Sequence, residues 1–348
     1  MMSENTQGYD IPAVETWIKD NGATLIPPFE WEKLEGGHSN LTYRLKDSNG
    51  KLAVIRRPPL GELLPKAHDM GREWQIISAL GPTKVPVAPA LGFCEGPEVT
   101  GAHFYVMGHV DGMALYTNKD TEQWIAPENR CNLGESFIDV LAELHSLDPD
   151  EIGLGDLGKK ENYIGRQLKT WYRSWMASTQ AADYDDERLH EMQNFLADNI
   201  PEQGPARVVH GDYGLHNCLF TPLGHVAAVL DWEISTLGDP LADLAYALNQ
   251  WILPDDENPV KADAASVVDG MLTREQLAAR YANATGRDLS GLNYYIGFNW
   301  LKSAMIIHGV YARYKEGKKS TEGVDMVDLR DRITRNINEA ERAIARVR

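Results

Sequence analysis

Apolar residues along this chain recur with two periods, and the switch between them divides it. Ile11, Val14 and Trp17/Ile18 fall at helical spacing, which predicts a short helix over residues 11–20. From Trp31 the texture changes. Leu41-Thr42-Tyr43-Arg44-Leu45 alternates, Asp47-Ser48-Asn49-Gly50 supplies turn residues, and Lys51 to Arg56 alternates again, as in a β-hairpin. A stripe of Trp74, Ile77 and Leu80 predicts a helix over 69–80, and Phe104-Tyr105-Val106-Met107 reads as a buried strand ending at Gly108. Hairpin, helix and strand describe a small β-rich lobe over residues 1–110.

Beyond Asp111-Gly112 the helical period dominates. Phe137, Val140, Leu141 and Leu144 form the stripe of a helix over 134–146, and further helices are expected at 161–177, 186–198, 240–251, 273–284, 291–315 and 326–347. Only 207–209, 217–220 and 226–231 read as strands there, the last two joined by the turn Thr221-Pro222-Leu223-Gly224. The expected fold class is α+β and bilobal: a small N-lobe and a larger, mainly helical C-lobe over 111–348, with a hinge at about 108–112. A cleft between lobes is a common ligand site.

Composition narrows the class of function. No stretch approaches the roughly 18 uncharged apolar residues of a membrane helix. The segment Met1 to Asp10 is polar and lacks the apolar core of a signal peptide. Cys94, Cys131 and Cys218 are widely separated and odd in number, which argues against a disulfide framework or a zinc site and for a reducing, cytoplasmic setting. With 34 Lys+Arg against 51 Asp+Glu, the formal charge of −17 repels nucleic acid and anionic membrane. The mean charge leaves room for an anionic ligand at a local basic patch.

The candidate chemistry lies in Val208-Val209-His210-Gly211-Asp212-Tyr213-Gly214-Leu215-His216-Asn217 and Val229-Leu230-Asp231-Trp232-Glu233. An Asp, an Asn five residues on and a second Asp after a short hairpin form the set that phosphoryl transfer from ATP needs. Asp212 is the candidate catalytic base. Alone, His-Gly-Asp reads more readily as a turn whose Asp caps the loop. Asn217 and Asp231 in register turn the reading to catalysis, with those two as the magnesium ligands: Asn217 begins one strand of the hairpin and Asp231 ends the other. Glu233 is either a further ligand or the acceptor for an N–H of the next segment. Gly36-Gly37-His38-Ser39-Asn40 could cradle phosphate through backbone N–H groups, with Gly36, Gly37, Ser39 and Asn40 as contacts, although a plain hairpin turn explains it equally well. Ala53-Val54-Ile55-Arg56 resembles the V-A-I-K strand of kinases with Arg56 in the Lys position and Glu73 as its ion-pair partner; the alternative is a solvated pair at a strand end. His145 reads as a buried structural histidine and His210 as a support for the loop backbone.

These segments resemble the aminoglycoside phosphotransferase-like (choline kinase-like) family, a branch of the protein-kinase-like fold, from about 30 to 315. The subgroup also found fused to acyl-CoA dehydrogenases is the most similar, through Val54-Ile55-Arg56-Arg57-Pro58-Pro59, Leu64-Pro65-Lys66-Ala67-His68, Val209-His210-Gly211-Asp212-Tyr213 and Leu230-Asp231-Trp232-Glu233-Ile234-Ser235-Thr236-Leu237-Gly238-Asp239-Pro240. The resemblance implies ATP and Mg2+ as cofactors, Asp212 as base, Asn217 and Asp231 as metal ligands, Arg56 as phosphate ligand and Gly108-His109-Val110 as the hinge whose backbone meets adenine. Arg for Lys and the unusual glycine loop depart from the wider family. A protein kinase is disfavoured, since D-F-G, A-P-E and an activation loop are absent. A nucleotide-binding pseudokinase is the alternative without chemistry, disfavoured by the intact Asp212/Asn217/Asp231 set.

One fold serves many acceptors, so the acceptor is argued from the C-lobe. Arg166, Lys169 and Arg173 recur at i, i+3, i+7 on one helix face beside Trp171, Tyr172 and Trp175. Residues 294–314 add Tyr294, Tyr295, Asn299, Trp300, Lys302, Tyr311, Arg313 and Tyr314. A basic, aromatic face suits an anionic acceptor with a flat ring, such as a hydroxyacyl-CoA; a solvated helix face is the competing explanation. A polycationic aminoglycoside, the alternative acceptor, would call for clustered carboxylates. Arg166, Lys169, Arg173, Tyr311, Arg313 and Glu233 are the candidate acceptor contacts.

Overall fold

The computed structural model describes residues 6–21, 24–34, 40–61, 69–257 and 259–347. The N-terminal part is an antiparallel sheet of five strands in the order β1-β2-β3-β5-β4: β1 (Glu30–Lys33), β2 (Leu41–Lys46), β3 (Leu52–Arg57), β5 (Phe104–Gly108) and β4 (Ala90–Cys94). The period of two sorts its side chains. Tyr43, Leu45, Ala53, Ile55, Phe104 and Val106 join Val14 and Ile18 of helix α1 (Ile11–Asn21) in one buried cluster. Arg56 and Tyr105, paired across β3 and β5, turn to the opposite face. There lies α2 (Met70–Leu80), started by the Asp69 side chain accepting the Arg72 N–H at 3.1 Å. Its buried face holds Met70, Ile76, Ile77 and Leu80, and also Glu73.

The remainder is largely helical: α3 (Asn118–Trp124), α4 (Arg130–Ser146), α5 (Tyr163–Ala182), α6 (Glu187–Asp198), α7 (Pro240–Gln250), α8 (Arg274–Thr285), α9 (Leu292–Lys315) and α10 (Met326–Ala345). Leu133, Phe137, Leu141 and Leu144 of α4 are fully buried, each worth roughly 1.5–3 kcal/mol of apolar transfer. Around α9 a second core forms with α5, α6, α7 and α10. Two small sheets complete this part. β6 (Met113–Ala114), β8 (Cys218–Phe220) and β9 (Val226–Val229) form one; β7 (Arg207–Val209) and β10 (Thr236–Gly238) pair antiparallel as the other.

The α+β, kinase-like division expected from the sequence is present. The strand count in the helical part needs correcting, since β6 and β10 were not expected. Each is only two or three residues, too short for an alternation, and exists because a distant partner supplies its hydrogen bonds. Strand β4 and helix α3 were also missed. No helix among the described residues is long and apolar enough to cross a membrane.

Candidate active site

The loop between β7 and β8 is held from behind by one buried carboxylate. Asp243, on the inner face of α7, accepts the backbone N–H of His210 at 2.6 Å and of Gly211 at 2.8 Å. Gly211 is left-handed, with φ 86°, which lets both N–H groups turn toward it. Burial works to raise the Asp243 pKa, but His145 and these donors outweigh it and hold it below the ordinary value. His145 is fully buried and bonds Tyr281 and Asp243, the structural role expected of it. The His210 ring fixes the loop from within: Nε2 donates to the Leu230 carbonyl at 2.8 Å, and Nδ1 accepts the Asp212 N–H at 3.3 Å.

So mounted, Asp212 presents two differently used oxygens. Oδ1 accepts the Tyr246 hydroxyl, and Oδ2 accepts the Asn217 amide at 3.1 Å and faces His216 Nε2 at 3.5 Å. Burial pushes the Asp212 pKa up, but the hydrogen bonds from His216 and Tyr246 and nearby histidine charge bring it below the usual carboxylate value. The Asn217 amide donates again to the Asp212 carbonyl at 2.9 Å. Its NH2 is thereby spent, and its oxygen has no hydrogen-bond partner among the described residues.

Asn217 ends a 3-10 turn, Leu215–Asn217, ahead of β8, so the expectation that it begins a strand is corrected. Asp231 likewise lies past the end of β9, in the left-handed region at φ 61° and ψ 61°. Such a conformation costs a non-glycine residue roughly 1–3 kcal/mol and persists where its surroundings impose it. The Leu230 N–H to Asn217 carbonyl bond, 2.8 Å, ties the two segments together. Asp231 Oδ1 accepts from Arg56 Nη2 at 3.3 Å, and Arg56 Nη1 pairs with Glu73 Oε2 at 2.9 Å. Tyr105 donates to the same Glu73 oxygen at 2.8 Å. Burial pushes Glu73 up to about 7 against the pull of Arg56 and Tyr105. Burial would lower the Arg56 pKa, yet Glu73, Tyr105 and Asp231 raise it, so the guanidinium stays charged.

Arg72 crosses from α2 to the helical part, donating to the carbonyls of Ser235 at 2.9 Å and Leu157 at 2.8 Å. In the hinge segment, Gly108 N–H bonds Pro89 O at 2.8 Å and His109 N–H reaches Leu52 O at 3.4 Å, with Val110 half-buried beyond them. Gly36, Gly37 and Ser39 of the expected phosphate loop, and the Leu64–His68 segment, lie outside the described residues; Asn40 is buried just before β2. Glu233 sits half-buried in the 3-10 turn Trp232–Ile234, and its charge helps raise the Glu73 pKa.

The expected aromatic–basic acceptor surface is partly core. Trp175, Tyr294, Tyr295 and Asn299 are core: the Trp175 ring stacks on His308 at 3.8 Å, and Tyr295 donates to Asp239 at 2.7 Å. Arg166 donates to the Lys159 carbonyl at 2.8 Å. Lys169, Arg173 and Arg313 are exposed and Tyr311 half-buried, with no described contact joining any of them to Asp212. A cavity of about 90 Å³ does adjoin the catalytic loop, lined by Tyr116, Gly214, His216, Gln250 and Lys261 among others. A larger one of about 470 Å³, between α7, α8, α9 and α10, is lined by none of Asp212, Asn217 and Asp231, so its size does not mark the chemistry.

Sequence reading missed Tyr246, Asp243, His216 and Arg72. The available signal for Asp243 was an acidic residue on the buried stripe of the apolar stretch Pro240-Leu241-Ala242-Asp243-Leu244-Ala245.

Comparison with known proteins gives a consistent result. The sequence profile of the "Phosphotransferase enzyme family" matches residues 30–282. Acyl-CoA dehydrogenase family member 11 of Gallus gallus is 36% identical over 293 residues, 82% of this chain and 37% of that protein. The chain thus spans well under half the length of such curated relatives. A Ralstonia eutropha JMP134 protein provisionally described as an aminoglycoside phosphotransferase superposes with a TM-score of 0.82 at 29% identity, covering 96% of this chain and 99% of that one. A choline kinase from Cryptosporidium parvum, at 12% identity and a TM-score of 0.65, covers 97% of each chain and shares the fold.

Proposed function

The chain belongs to the phosphotransferase enzyme family and is a small-molecule kinase, and we propose that it moves the γ-phosphoryl group of ATP to an alcohol hydroxyl with magnesium. One observation carries the reading. Asp212 is bonded to Asn217, whose carbonyl holds the Leu230 N–H next to Asp231, and Asp231 accepts from the charged Arg56.

In this reading Asp212 accepts a hydrogen bond from the acceptor hydroxyl and aligns its oxygen with the γ-phosphorus. A bond forms between that oxygen and phosphorus while the bond to the β-bridging oxygen breaks. ADP departs with the electron pair, and the hydroxyl proton passes to Asp212. The transition state is loose in most analyses, so alignment and charge stabilisation matter more than base strength. This fits an Asp212 held on the acidic side. Arg56, fixed by Glu73 and Tyr105, offers a planar fork to phosphate oxygens.

The metal fits the donor set. Magnesium takes one or two carboxylates and completes its shell with phosphate and water, and Asp231 with the Asn217 amide oxygen offers that pair. When bound, it neutralises charge on the transferring phosphates. The nucleotide occupies the cleft between lobes that part near 108–112, with the backbone of Gly108, His109 and Val110 toward adenine; the resemblance assigns phosphate contacts to Gly36, Gly37, Ser39 and Asn40. The free thiols of Cys94, Cys131 and Cys218 support a cytoplasmic location.

For the acceptor we favour a hydroxylated, coenzyme A-linked compound, which the similarity to an acyl-CoA dehydrogenase family member supports. Turnover against hydroxyacyl-CoA esters and aminoglycosides decides this, and activity on aminoglycosides alone would end it. The metal assignment is checked by calorimetry: Asp231→Ala should abolish the magnesium dependence of ATP binding, and an unchanged dependence would move the metal elsewhere.

A further inference from the structure

Helix α9 carries a lysine in an apolar stretch, Trp300-Leu301-Lys302-Ser303-Ala304-Met305. Lys302 is only 9% exposed, and no carboxylate or other hydrogen-bond acceptor among the described residues partners its ammonium. Its Nζ lies over the Tyr246 ring, 5.7 Å from the centroid. The ring face attracts an ammonium but accepts no ordinary hydrogen bond, so the N–H donors of Lys302 stay available to a ligand oxygen. Burial lowers the Lys302 pKa, opposed by the charges of Asp243 and Asp212.

The two oxygens of Asp212 show which ligand this is. Oδ2 lies with Asn217 and His216, and the Asn217 carbonyl is tied to Leu230 N–H, next to Asp231 and its partner Arg56. Oδ1 lies with Tyr246, and behind Tyr246 with Lys302. In-line transfer brings the acceptor to Asp212 from the side away from the nucleotide. That is the Tyr246 and Lys302 side.

We propose that Lys302 is an acceptor-binding residue: it receives an acyl oxygen of the hydroxyl-bearing substrate, while Tyr246 fixes Asp212 against the hydroxyl. The oxygen is either the carboxylate of a free hydroxy acid or the thioester carbonyl of its coenzyme A ester. The inference rests on the reading of Asp212 as the hydroxyl-binding base. It adds that the acceptor carries an acyl group within reach of its hydroxyl and that polycationic acceptors meet a like charge.

The test compares wild type, Lys302→Met and Lys302→Arg on hydroxy acids of increasing chain length, their coenzyme A esters and the matching diols. Wild type should prefer acids or esters to diols, and which of the two it prefers identifies the source of the oxygen. Lys302→Met should lower kcat/KM on that class about 10- to 100-fold, as expected for one charged hydrogen bond. Diol turnover and the Kd for ATP with magnesium should stay unchanged, and Lys302→Arg should recover part of the loss. Equal use of diols by wild type overturns the proposal. So does an unchanged preference in Lys302→Met, or a weakened ATP affinity, which would place the lysine on phosphate instead. If no acceptor is phosphorylated, the kinase reading fails separately. The subsite is then judged by binding of the acids and esters to wild type and Lys302→Met, where equal binding, or none, overturns it.

Discussion

Replacing Asp243 with Asn should cripple the catalytic loop without touching any substrate group. The carboxylate accepts His210 N–H at 2.6 Å with one oxygen and Gly211 N–H at 2.8 Å with the other, and it is 2% exposed. An amide has one oxygen. Whichever way it turns, its NH2 meets a backbone N–H, so one charge-assisted bond is lost and one buried donor is orphaned. Each of those changes costs roughly 1–3 kcal/mol, so the fold should lose about 3 kcal/mol. Urea unfolding followed by circular dichroism measures this. Because the folded Asp243 pKa is depressed, its contribution is present at neutral pH and fades as pH falls through and below the ordinary carboxylate range; Asp243→Asn should lack that part of the acid sensitivity. The freed loop also lets Asp212 drift, and a shift near 1 Å can lower kcat on the order of 100-fold. A variant within about 0.5 kcal/mol of wild type, with unchanged kcat, would refute the reasoning.

Two further outcomes follow from the charged cluster. Glu73, raised from 4.5 to about 7, should leave wild-type stability falling as pH rises between those values, while ATP affinity rises through about 7 as the carboxylate ionises and grips Arg56. Glu73→Gln should flatten both profiles, and titrations that leave both unchanged would contradict the pairing. Tyr246→Phe removes a hydrogen bond that lowers the Asp212 pKa, so the acid limb of the kcat profile should move to higher pH; an unmoved limb would show that the bond does not tune the base.

How much of this was legible follows from range. Asp212 and Asn217 sit in one short motif and Asp231 follows the next hairpin, so spacing made the set legible. Arg56 was readable because alternation puts it opposite Ile55 on the sheet, facing Glu73. Asp243 and Tyr246 lie on a helix whose apolar pattern hides a polar residue aimed inward, and only the packing of α7 against the loop reveals their contacts, whereas Lys302 was legible as a basic residue of 294–314 without its Tyr246 neighbour. The same limit applies to the rings placed on the expected acceptor surface. Tyr294, Tyr295 and Trp175 look like ligand-stacking residues in sequence, but α9 is surrounded by α5, α7 and α10, which bury those rings. Strands β6 and β10 were invisible because two or three residues carry no period.

The central claim is met most directly by single-turnover phosphoryl transfer in Asp212→Asn beside its ATP affinity. The account predicts that transfer to the acceptor falls by on the order of 100-fold or more while the calorimetric Kd for ATP with magnesium stays near that of wild type. Turnover close to wild type in that variant would contradict it.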